Sequence, residues 1–119
     1  MLRVSSQMTG TEVDLAAVNG AASKAIGVEH GEELLAFTEA LMRGETATAE
    51  RHRLQSLLSP AGFVDVAAVI GSFNVVDRIA DATGIPLDPM MLAMSGEVRD
   101  ELQLSRFASS ANTASPRMP

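Results

Sequence analysis

An all-α bundle of about five to six helices is the fold this sequence predicts, on three observations. Apolar residues recur at helical spacing along most of the chain, and no run alternates with the period of two that a half-buried strand needs. Glycine and proline stand where those runs end. The 119 residues are 46% hydrophobic but only 3% aromatic, so the core material is Ala, Val, Leu, Ile and Met, enough for one helical domain. That domain is expected over residues 9–104, after a frayed N-terminus (1–8) and before a Ser-, Ala-, Asn- and Pro-rich mobile tail (105–119) with Phe107 as its anchor.

Taken in order, Thr9-x-x-Glu12 and Thr11-x-x-Asp14 read as capping boxes for a first helix over 13–26, and Gly27 suits the left-handed turn that ends it. Ala16, Ala17, Gly20 and Ala21 form a small-residue patch where a second helix can pack closely. A second helix opens on the acidic pair Glu32 and Glu33, turns Leu34, Phe37 and Leu41 to one side, and ends at Arg43-Gly44. A third runs from a cap at Thr46 or Thr48 to Leu58, with Leu54, Leu57 and Leu58 inward, and Ser59-Pro60 closes it. After Ala61-Gly62 comes the longest segment, 63–83, stopped by Gly84 and Ile85-Pro86. Asp88-Pro89 then supplies an N-cap and an N1 proline for a helix carrying Met90, Met91 and Met94. Ser95-Gly96 breaks it, and a short last helix is expected over 97–104.

The long segment, FVDVAAVIGSFNVVDRIADAT, organises the rest. Its polar residues Asn74, Asp77, Arg78 and Asp81 stand at i, i+3, i+4 and i+7, so they share one helical stripe. Continued towards the N-terminus, the stripe runs through Ile70, Ala67 and Phe63. The first half of this helix is therefore apolar nearly all round and predicted to be buried, while the second half is amphipathic. At about 30 Å the helix is long enough to approach a bilayer's thickness, but its charges argue against a span.

Composition excludes several functions. A net charge of −6, no Trp or Tyr, and no basic run beyond Arg51-His52-Arg53 disfavour nucleic-acid binding. The N-terminus lacks the apolar core of a signal peptide, so the cytoplasm is the expected compartment. Zero cysteines exclude a disulfide, a thiolate metal site and a cysteine nucleophile. His30 and His52 are not at a metal-ligand spacing, and they read as a loop residue and a solvent-facing helix residue. Glu32 and Glu33 point about 100° apart and suit a helix start better than acid–base work. No phosphate loop or nucleophile elbow is present, and neither a metal nor a cofactor is expected. The stripe around Arg78 is the one polar constellation. Its bland reading is a solvated face with ion pairs worth a few tenths of a kcal/mol; its sharper one holds Arg78 partly buried against a carboxylate or backbone carbonyl.

The segment from Ala61 to Pro89 resembles the C-terminal half of the alkyl hydroperoxidase D-like (AhpD-like) and carboxymuconolactone decarboxylase superfamily, most closely its peroxidase-related branch. Gly62, Phe73, Asn74, Asp77, Arg78, Ala80, Gly84, Pro86 and Leu87 carry the likeness, and the run from Glu101 to Phe107 adds to it. The resemblance implies an AhpD-like helical bundle and a homo-oligomer. In redox-active relatives a C-x-x-C-x-x-x-H motif lies on an earlier helix, and counting back from Ala25-Ile26-Gly27-Val28 puts those positions at Glu12, Leu15 and Asn19. The thiols and the histidine are absent. A thiol peroxidase needs a thiolate and a resolving thiol, so the expectation is a redox-inactive, diverged member serving as an oligomeric interaction or subunit protein. The alternative is a cysteine-independent enzyme of the decarboxylase type acting on a small organic acid or lactone. Glu12, Asn19, Asn74, Asp77, Arg78 and Asp81 are its candidate polar site.

Overall fold

Residues 8–10, 13–19 and 27–113 are described by the computed structural model. Among them are five α-helices, α1 (Gly31–Met42), α2 (Thr48–Leu57), α3 (Pro60–Thr83), α4 (Pro89–Met94) and α5 (Gly96–Glu101), and no strand. The all-α class follows from the patterning as predicted. The chain divides into two compact units, Met1–Gly71 and Ser72–Pro119.

In the first unit α1 and α2 are antiparallel neighbours joined by a short connection whose geometry is local chemistry. Gly44, at φ +74°, donates its N–H to Leu41 O, and Glu45 N–H reaches back to Ala40 O, both at 3.0 Å. This is a Schellman stop, with glycine in the left-handed conformation that a Cβ would strain. The predicted threonine caps of the next helix are not used. Ala47 stands at the N-cap with φ +49° and no side-chain cap. Its methyl is buried in the core, so packing outweighs a capping hydroxyl and holds a non-glycine residue left-handed at about 1 to 2 kcal/mol.

That core is Phe37, Ala40, Ala47 and Leu54, with Leu34, Leu41, Leu58, Phe63, Val66 and Ile70 packed against it. Leu54, predicted to point inward, is 0% exposed. The Phe37 and Phe63 rings meet at 5.6 Å between centroids, tilted by 47°, which fixes the start of α3 against α1.

The helix α3 begins three residues before the predicted 63. Ser59 Oγ accepts the Gly62 N–H at 3.1 Å and Pro60 takes the first helical position, so the dipeptide that closes α2 also opens α3. Gly84, at φ +67°, ends it with Ile85 N–H donating to Ala80 O at 3.2 Å. The predicted burial of its first half is corrected by the structure: no residue of α3 is buried. Phe63, Val66 and Ile70 lie at i, i+3 and i+7 and face the core, but Val64 and Val69 on the other side are 63% and 57% exposed. The core touches one face only, and the apolar residues opposite find no cover within the unit.

At the N-terminal end, the predicted helix over 13–26 is described only in part. Leu15–Asn19 form a 3-10 helix, and Asp14 Oδ1 accepts the Ala16 N–H at 2.9 Å. Glu12, Gly20 and Ala21 lie outside the described residues, and Gly27 has the predicted left-handed backbone, φ +91°.

The second unit holds the rest of α3, α4, α5 and two 3-10 helices, Leu104–Arg106 and Ala108–Asn112. Asp88 Oδ1 accepts the Met91 N–H at 2.9 Å with Pro89 behind it, as the sequence predicts. Ser95 Oγ donates to Met91 O at 2.6 Å at the joint with α5. The predicted tail begins in the two 3-10 helices, and Leu87 N–H donates to Thr113 Oγ1 at 3.0 Å. No helix among the described residues is long and apolar enough to cross a membrane.

Candidate functional site

The polar stripe on α3 forms as a helix demands, with Arg78 Nε donating to Asn74 Oδ1 one turn earlier at 2.7 Å. Asn74 is half-buried, but Asp77, Arg78 and Asp81 are exposed. The expectation of a partly buried Arg78 held by a carboxylate or backbone carbonyl is therefore corrected. Its partner is the neutral amide oxygen of Asn74, and the guanidinium stands in solvent because this part of α3 carries no covering element over the stripe. Asn19 ends the 3-10 helix of the first unit, and Glu12 lies outside the described residues.

The charged pairs of the first unit are structural. Arg53 on α2 donates to Glu33 on α1 at 3.1 Å. The Glu33 carboxyl is held below the usual range, first by its own backbone N–H at the helix start and then by Arg53. Arg43 donates to Glu45 at 2.6 Å, which lowers the Glu45 carboxyl and raises the guanidinium. His30 lies 3.6 Å from Glu29, and His52 is exposed on α2. No group of three metal-ligating side chains occurs among the described residues.

The second unit contains a pocket of about 510 Å³. Ile85, Leu92, Leu104 and Phe107 give it an apolar lining, and Asp81, Arg99 and Asp100 give it charges of both signs. Of the stripe residues, Asp81 alone lines it. Arg99 is half-buried on α5, and its guanidinium makes no hydrogen bond or ion pair among the described residues. The other described arginines all have partners: Arg43 and Arg53 carboxylates, Arg51 the Thr46 carbonyl, Arg78 Asn74, and Arg106 the Phe107 ring at 5.1 Å. Sequence reasoning missed Arg99 because nothing in a short charged helix marks one arginine as pocket-lining. The pocket arises from where α4, α5 and the following turns are placed.

No family model, curated protein or solved structure matches the chain.

Proposed function

We propose that this chain is a diverged AhpD-like domain without redox cysteines, with no thiol peroxidase activity of its own, serving as a subunit that associates with a second copy through the outer face of α3. The observation that carries the reading is that face. Val64, Ala68, Val75, Ile79 and Ala82 recur at helical spacing within a stripe about 60° wide, on the side of α3 away from Phe63, Val66 and Ile70. Val64, Val75 and Ile79 are 63%, 60% and 55% exposed, with Val69 and Val76 beside them also uncovered. Full burial of such a side chain contributes about 1.5 to 3 kcal/mol, and these have a little over half of their surface left to cover, so covering the row on both copies offsets part of the cost of association.

A stripe of this kind, mostly small and β-branched residues with no charge inside it, suits close helix–helix contact and supports the homo-oligomer. The test places a charge in the stripe. Ile79→Glu is expected to move the protein to the monomer elution volume on size exclusion while leaving its helical content unchanged, since Ile79 is exposed in the single chain. An elution volume identical to wild type would count against the α3 face.

A further inference from the structure

The pocket of the second unit is lined by opposite charges that have no side-chain partner among the described residues. Arg99 is half-buried, and its guanidinium has no hydrogen-bond or ion-pair partner among the described residues. Asp81 and Asp100 line the same pocket, and neither carboxylate takes a hydrogen bond or an ion pair among the described residues. No ion pair links the half-buried Arg99 to either of these two exposed carboxylates. A simple anion attracted to Arg99 would meet two negative groups, and a simple cation would meet the guanidinium. A ligand carrying both charges satisfies all of them.

We propose that this pocket binds a free α-amino acid with an apolar side chain. Its carboxylate lies on Arg99, whose planar fork matches a carboxylate in two hydrogen bonds. The ammonium faces Asp81 and Asp100, and the side chain enters the lining of Ile85, Leu92, Leu104 and Phe107. The volume, about 510 Å³, lies within the range of small-molecule sites. The site uses none of the outer α3 residues that carry the subunit reading, so the two stand or fall separately.

The experiment is titration of the full chain by amide-resolved NMR with L-phenylalanine, N-acetyl-L-phenylalanine and L-phenylalaninamide as probes. Phenylalanine is expected to shift resonances of 85–107, and each derivative, having lost one charge, to bind about tenfold or more weakly. Arg99→Gln is expected to weaken phenylalanine by a similar factor and leave phenylalaninamide unchanged. Should Arg99→Gln fail to fold, Asp81→Asn, at an exposed position, supplies the second arm by weakening phenylalanine and leaving the N-acetyl derivative unchanged. Equal binding of the three probes, an unaltered affinity in the variants, or no shift at about 10 mM phenylalanine would overturn the proposal.

Discussion

Leu54 and Ala47 show how differently two buried side chains register in a sequence. Leu54 is inward by helical periodicity and is fully buried, so Leu54→Ala is expected to cost about 2 to 5 kcal/mol, read from urea denaturation. Ala47 carries no such signal, because its burial and its φ of +49° depend on how α1 and α2 meet. Ala47→Gly relieves the left-handed strain but removes a buried methyl worth about 0.8 kcal/mol, so a stability within about 1 kcal/mol of wild type is expected. Ala47→Val, β-branched at a positive φ, is expected to be clearly destabilised in the same assay. Arg78 is the opposite case. Its i, i+4 spacing puts it within reach of Asn74, but the 2.7 Å hydrogen bond to that neutral amide stands where a carboxylate or backbone carbonyl is predicted, and periodicity cannot say whether a stripe is covered. Exposed as it is, Arg78→Ala is expected to shift the thermal midpoint by the equivalent of under about 1 kcal/mol.

At the level of elements, stop signals were legible and shared signals were not. Gly44 and Gly84 end their helices, and Asp88-Pro89 opens one, because each acts on backbone groups within a few residues. Ser59-Pro60 reads as a stop, and the same chemistry also starts α3; Ser59→Ala is expected to cost about 0.5 to 2 kcal/mol in a thermal melt. The contact between α1 and α2 is expected to depend on pH through Glu33. Its carboxyl is depressed in the folded state, so the unfolded chain binds a proton more readily in the acid range. The contribution is therefore present above the ordinary carboxylate pKa and lost as pH falls through the folded value. Glu33→Gln is expected to flatten that part of the stability–pH curve, measured as melts from neutral to acid pH. An unchanged curve would show that neither the backbone N–H nor Arg53 holds the Glu33 carboxylate in solution.

For the molecule as a whole, the all-α class was legible in the sequence, whereas what the faces of α3 meet was not. Phe63, Val66 and Ile70 find a core in the first unit, whereas Val64, Val75 and Ile79 have the same apolar character and remain uncovered. Apolar pattern records which side chains avoid water; cover also depends on the elements available to pack there. The Arg99 pocket has the same origin, since it is made by the placement of α4, α5 and the 3-10 helices rather than by a motif. The subunit reading rests on the uncovered side of α3 and is tested most directly by sedimentation equilibrium of the wild-type chain across the micromolar range. A dimer or larger symmetric assembly, dissociating on dilution or on Ile79→Glu, is expected; a wild-type protein that stays monomeric throughout that range would contradict it.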